Sequence, residues 1–585
     1  MSISRLDSPY LFFTGKGGVG KTTIACATAV DLADAGRRIL LVSTDPASNL
    51  GDILNVSAGE EPTEVPEVAN LWVANVDPEE AAASYRRRVV EPYRGAVPDE
   101  EVRALEEQLS GQCTVEVAAF DEFTRLMVRP QEPGFDTVIF DTAPTGHALR
   151  LLSLPGAWSS YLEDAPGGGS CLGPLSGLEA QREQYLKAVT TLADAEQTLV
   201  ILVSRPDAGP LREAGRAADE LLALGIRNLR LIVNGVLADP LAGDALAEAL
   251  ARRQREAVAS MPKVLAGLER TSVPLRAGDL VGVEALRALA EGRAPTSTLR
   301  SEPPSPPALP GLDALVDELA RSDHAAILVM GKGGVGKTTV AAAIALGLSR
   351  RGRVVELTTT DPAGRWEDVV GSEDPSGVVV SSIDPAAEVA SYVADHLAAA
   401  RKLHPERLAL IEEGLRSPCT EELAVFRAFA RALGRGRSRF VVLDTAPTGH
   451  TLLLLDTTGA YHRDVMRTAA RAPGRIITPL MWLQDPESTR VVIVTLPEST
   501  PVQEAERLQT DLRRAGIEPF GWVVNASMLV GATRDPVLQA RAALESRHIA
   551  RVEEIAARAW IVPWTAATPR GVQELLALSE STPGD

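Results

Sequence analysis

The sequence predicts an α/β protein: two homologous doubly wound, mostly parallel sheets with flanking helices, packed as a pseudo-two-fold dimer. Three observations predict it. The chain has 585 residues, long for one domain and comfortable for two. Nearly the same phrases recur in the same order in both halves. Within each half, short apolar runs alternate with helical stretches. Runs without an in–out alternation are buried on both faces, as parallel strands between two helix layers are.

The elements follow in order. YLFFTG (10–15) is a β-branched and aromatic strand, and GKTTIACATAVDLADAG (20–36) is a helix stopped at Gly36. RRILLVSTD (37–45) is the next strand, and TVIFD (137–141), TLVILVS (198–204) and NLRLIVNG (228–235) are further short strands. The segment 12–48, FFTGKGGVGKTTIACATAVDLADAGRRILLVSTDPAS, returns at 328–364 as LVMGKGGVGKTTVAAAIALGLSRRGRVVELTTTDPAG. FDTVIFDTAPTGHALRLL (135–152) returns as FVVLDTAPTGHTLLLL (440–455), and LIVNGVL (231–237) as WVVNASM (522–528). VDP (76–78) is matched by IDP (383–385). This is tandem duplication of a whole domain. The expected division is 1–292, a Pro/Ser-rich linker 293–312 containing PTSTLRSEPPSPPALPG, and 313–585.

Apolar residues make up 45% of the chain, enough for two large cores, and a formal net charge of −19 repels nucleic acid and anionic membranes as broad partners. No apolar run reaches the roughly 18 residues that span a bilayer. The first residues lack the pattern of a secretion signal, so a cytoplasmic protein is expected. The four cysteines, Cys26, Cys113, Cys171 and Cys419, are far apart in sequence, which favours free thiols or ligands over a disulfide frame.

Gly15-Lys16-Gly17-Gly18-Val19-Gly20-Lys21-Thr22 and Gly331-Lys332-Gly333-Gly334-Val335-Gly336-Lys337-Thr338 both satisfy G-x-x-x-x-G-K-[ST]. Glycines let backbone N–H groups wrap phosphates, and the following helix points its positive end at the anion. ATP is therefore the expected ligand, with Lys21 and Lys337 on the β/γ-phosphates and Thr22 and Thr338 on Mg²⁺. The same letters contain G-x-G-x-x-G, the dinucleotide fingerprint, but that pattern does not require Lys-Thr directly after it. Lys16 and Lys332 exceed the general motif. A second lysine inside the loop marks the deviant phosphate-loop class, in which two loops face each other and each extra lysine reaches the opposite site. A tandem chain would then be its own dimer.

Asp45 and Asp361, in TDPA at the end of a strand, suit the orientation or deprotonation of an attacking water. Asp141 and Asp444 end apolar strands and suit the Mg²⁺ side; helix capping is the competing role. Asn234 and Asn525 are candidates for the adenine edge or for a turn. Cys113 and Cys419 fall at one place in a repeated phrase, LSGQCTVEVAAFDEF (109–123) and LRSPCTEELAVFRAF (415–429). Cys26 lies in the phosphate-loop helix among Ala and Ile and is expected in the core.

With GKGGVGKT, TDPA, CTxExAxF and DTAPTGH in order and doubled, the chain resembles the arsenical pump-driving ATPases over essentially its whole length. The resemblance implies ATP hydrolysis stimulated by trivalent arsenic or antimony, and metalloid ligands at Cys113, Cys171 and Cys419 with His147, His450 and Ser417 as accessory contacts. It also implies a membrane arsenite channel subunit and a small metalloid chaperone as partners, no nucleic acid, a monomer acting as an internal pseudo-dimer, and peripheral attachment to the inner membrane through the channel. Thiolates suit soft trivalent metalloids, and their protons must leave on binding. Cys171, in GGGSCLGP, has no cysteine counterpart in the second half, and TDPAS differs from TDPAG, so neither the metalloid region nor the two ATP sites need be symmetric. The competing function is a tail-anchored-protein targeting ATPase or another client-shuttling ATPase of the wider family. Seven methionines and no C-x-x-C speak against it. An iron–sulfur carrier would also use paired cysteines and would be coloured.

Overall fold

The computed structural model describes residues 6, 8–44, 50–76, 78–94, scattered positions from 98 to 127, 134–142, 187–278, 280–293, 308–359, 367–370, 377–403, 419–445, 478–529, 533–566 and 569–580. Two compact units emerge, Met1–Ala242 with Leu250–Leu299, and Gly243–Ala249 with Arg300–Asp585.

The first unit carries β1 (Tyr10–Thr14), β2 (Ile39–Ser43), β3 (Thr63–Glu64), β4 (Leu71–Asn75), β5 (Thr137–Asp141), β6 (Thr198–Ser204), β7 (Leu229–Val236) and β8 (Glu269–Pro274), in sheet order β3-β4-β2-β5-β1-β6-β7-β8. All neighbours are parallel except the short edge strand β3 on β4. The second unit carries β9 (Ala325–Met330), β10 (Val355–Thr359), β11 (Val378–Ser382), β12 (Phe440–Asp444), β13 (Thr489–Thr495), β14 (Gly521–Ser527) and β15 (Ala559–Pro563), in order β11-β10-β12-β9-β13-β14-β15, parallel throughout. The sheets repeat one another strand for strand, apart from β3.

Successive residues of a strand point to opposite faces. Leu11 and Phe13 enter one core with Ile39, Leu41, Ile139 and Ile201, whereas Phe12 enters the other with Leu40, Val42 and Phe140. The Phe12 and Phe140 rings stack at 4.7 Å between centroids. Both faces are covered, which is why the central strands are largely apolar without an in–out alternation and why β6 is buried along its whole length. The helix Lys21–Asp34 packs its alanines and Cys26 on the first of these faces. Cys26 is fully buried, and burial, then the charge of Asp141, pushes its thiol pKa up. The expected core role of Cys26 holds. Gly36, at φ 89°, follows the helix, and its N–H bonds the Ala33 carbonyl as a left-handed stop.

Candidate functional site

β1 and β9 are central strands, each flanked by two strands that leave for opposite sides of the sheet. The loop at the carboxyl end of such a strand sits at the switch point where ligands bind in doubly wound sheets. Gly15–Gly20 and Gly331–Gly336 are those loops, and each opens into a helix, Lys21–Asp34 and Lys337–Arg350.

Two glycines in each loop are required by space and by torsion. Gly15 and Gly331 have φ 153° and 147°, and a Cβ there would collide with the carbonyl oxygens of Val203 and Val494. Gly20 and Gly336, at φ 89° and 92°, are the helix N-caps, and a Cβ on them would collide with the amide nitrogens of Asn234 and Asn525. Those amides hold the loops from the next strand but one. Asn234 Nδ2 donates to the Val19 carbonyl at 2.9 Å, and Asn525 Nδ2 to the Val335 carbonyl at 2.8 Å. The asparagines named from sequence as adenine or turn residues thus brace the phosphate loop. Each sits at a register shift in its strand, between Asn234 and Val236 and between Val524 and Ser527. A bulge re-aims a side chain, here toward the loop.

Lys21 and Lys337 are buried, their ammonium groups 3.5 and 3.0 Å from the carbonyls of Lys16 and Lys332. Asp141 and Asp444 are buried at the ends of β5 and β12, neighbours of the phosphate-loop strands. Thr338 Oγ1 donates to Asp444 Oδ2 at 2.7 Å, so the hydroxyl and carboxylate expected on the Mg²⁺ side meet in the second unit. This donor set fits a hard cation, which takes oxygen ligands beside phosphate. Glycine amides, a helix N-terminus and a lysine fit the phosphate chain itself.

Two features lie beyond the motifs' assigned roles. Thr142 and Thr445, directly after the aspartates, donate to the carbonyls of Phe13 and Val329 at 2.9 and 3.0 Å, fastening the aspartate strand to the phosphate-loop strand. Their signal was the repeated Asp-Thr. Lys16 lies 3.6 Å from Glu213 on the helix Ala208–Ala223, and Lys332 bonds Glu504 on the helix Ser499–Arg514. No motif marks these glutamates. Asp45, Asp361, Cys113, Cys171, His147, His450 and Ser417 lie outside the described residues. Cys419 opens the helix Cys419–Arg435, whose Phe429, Ala432 and Leu433 enter the core. Among the described residues no group of three or more His, Cys, Asp or Glu could hold a metal ion, and no helix is long and apolar enough to cross a membrane.

Comparison with known proteins agrees with this geometry. The family model described as anion-transporting ATPase matches residues 8–292, 324–482 and 475–582. The chain is 50% identical to an arsenical pump-driving ATPase of Escherichia coli, over 97% of this chain and 98% of the relative. It is 49% identical to the protein of that name from Acidiphilium multivorum, over 97% and 98%. A putative arsenical pump-driving ATPase of Halobacterium salinarum is 34% identical over 94% and 90%. With the family model spanning both halves and each phosphate loop built as its motif requires, the chain belongs to the anion-transporting ATPase family, and it is an ATPase.

Proposed function

We propose that this ATPase is stimulated by trivalent arsenic or antimony and energises a membrane efflux channel for arsenite or antimonite. The observation that carries the reading is the identity of about half of all residues, end to end, with relatives named arsenical pump-driving ATPases. In this reading the chain works with two ATP sites, from domains 1–292 and 313–585 joined by the linker 293–312. It stays monomeric, an internal pseudo-dimer in which Lys16 and Lys332 each act in the opposite site. It receives metalloid from a small chaperone and meets the inner membrane from the cytoplasm, through its channel partner.

The chemistry follows from charge. Hydrolysis of ATP spreads negative charge over the transferred phosphoryl oxygens, so catalysis is mainly positioning and electrostatic stabilisation. Loop amides and Lys21 or Lys337 hold and neutralise the β/γ-phosphates. Thr22, Asp141, Thr338 and Asp444 are the residues that would hold Mg²⁺, which when bound neutralises β- and γ-oxygens. Asp45 and Asp361 orient the attacking water. Asn234 and Asn525 keep each loop shaped and are the candidates for contact with the adenine edge. Cys113, Cys171 and Cys419 take the metalloid as thiolates, with His147, His450 and Ser417 as accessory contacts. The segments Asp141–His147 and Asp444–His450 link the Mg²⁺ side to the metalloid side. The test is phosphate release by the purified chain with and without antimonite or arsenite. A rate that rises with either ion is expected; an unchanged rate with both would overturn the assignment.

A further inference from the structure

Lys16 and Lys332 are the loop lysines that the general phosphate-loop motif does not require. In both units the lysine is engaged by a carboxylate of its own unit. The two carboxylates are equivalent, because Glu213 and Glu504 are 291 residues apart, as are Asn234 and Asn525. Each rides the helix that follows the strand next to the phosphate-loop strand, β6 or β13. The duplication makes a chance surface pair a poor account of the contact.

We infer that Glu213 and Glu504 are positioning residues that hold the two extra lysines within their own units until phosphate in the opposite site replaces the carboxylate. The inference rests on the reading that each lysine acts in the opposite site. A lysine ammonium carries one charge, and its carboxylate and phosphate partners compete for it. The carboxylate wins while the opposite site lacks ATP, and the lysine stays home. An anion of higher charge wins when ATP is bound and the units are brought together. A held lysine keeps hydrolysis without metalloid below the stimulated rate in this scheme, and stimulation includes the transfer of the lysine.

The two latches are unequal. Lys332 and Glu504 are bonded directly, with side chains 16% and 8% exposed. Lys16 and Glu213 stand 3.6 Å apart with 30% and 22% exposure, and the same glutamate oxygen also accepts from Arg216 at 3.1 Å. Water screens the more exposed Lys16–Glu213 pair, and burial keeps the Lys332–Glu504 pair from being screened as strongly. The second latch is therefore the stronger, and its release limits activation.

The test uses the full chain. Glu504→Gln keeps the shape and removes the charge, so hydrolysis without metalloid should rise at least about threefold, a change of roughly 0.6 kcal/mol by the standard conversion. Antimonite should add correspondingly less. Glu213→Gln should show a smaller rise, and Glu504→Asp should restore part of the restraint. An independent readout is the rate at which acetic anhydride acetylates Lys332, followed by mass spectrometry. In the nucleotide-free chain it should be slower than at exposed Lys263 and should rise in Glu504→Gln. Should that variant not fold, the same labelling in the wild-type chain decides: Lys332 reacting as fast as Lys263 overturns the latch. A basal rate that stays level or falls in Glu504→Gln, with Lys332→Ala losing stimulated turnover, overturns the latch alone. Full stimulated turnover in Lys332→Ala overturns the lysine's role, and the latch with it.

Discussion

Glu545 and Gln254 occupy equivalent places 291 residues apart, and the difference of one atom type has a consequence for pH. Gln254 accepts from the Leu237 N–H and donates to the Gly235 carbonyl, closing the turn after β7 without a charge. Glu545 accepts from the Ser527 hydroxyl and the Met528 and Leu529 N–H groups. Burial pushes its carboxyl up to about 7, against those hydrogen bonds and the Arg541 charge, which pull it down. A carboxyl raised in the folded state binds protons that the unfolded chain releases. Stability therefore falls as pH rises from about 4.5 to about 7 and is level above that window. Glu545→Gln should gain on the wild type by about 1–3 kcal/mol between pH 5 and pH 8. Unfolding measured at both pH values checks this, and a pH-independent difference would refute it. Among the cysteines, Cys113→Ser and Cys419→Ser should leave basal turnover intact and raise the antimonite needed for activation about tenfold or more, because a hydroxyl is a poor ligand for a soft ion. Cys26→Ser is the control: its thiol is fully buried, so stability should drop while activation is unchanged. Activation of the Cys113 and Cys419 variants at wild-type antimonite concentrations would remove those thiols from the metalloid site.

At the scale of elements, the bulges in β7 and β14 do the same task with different residues. Gly235 takes φ 87° in the first, and Ala526 takes φ 55° in the second. A side chain in the left-handed region costs roughly 1–2 kcal/mol, and Ala526 is held there between Asn525, tied to the phosphate loop, and Ser527, tied to Glu545. Ala526→Gly should therefore stabilise the second unit by about 0.5–1 kcal/mol after the greater freedom of glycine in the unfolded chain is subtracted. Its denaturant midpoint should move up with ATP affinity unchanged; a midpoint that stays or falls would show that the torsion carries no strain. The helices behave as the apolar patterns suggest. The helix Cys419–Arg435 buries Thr420, Ala424, Phe426, Phe429, Ala432 and Leu433, and its far end is anchored by Arg435, which makes a two-point contact of 2.9 and 2.7 Å with Glu356 on β10. Its first turn, where Cys419 sits, is farthest from that anchor.

For the whole molecule, the doubled phosphate loop asks whether one site suffices. Lys21 and Lys337 have the same burial and the same carbonyl contact in their own loops. Lys21→Ala and Lys337→Ala should each abolish most metalloid-stimulated turnover, at least about tenfold, equivalent to 1.4 kcal/mol or more of transition-state stabilisation. Phosphate release under saturating ATP and antimonite measures it, and full activity in either single variant would sink the cooperating pair of sites. The sequence by itself determined the duplication, the parallel strands, the two phosphate loops and the burial of Cys26. Each of these is local: a motif, a period, or a run of apolar residues reports its own environment. Only tertiary structure decided what Asn234, Asn525, Glu213 and Glu504 touch. Their partners are far away along the chain, 215 residues from Asn234 to Val19 and 172 from Lys332 to Glu504. Such contacts arise where the order of strands in a sheet brings separate carboxyl ends together, and no run of neighbouring residues encodes that order.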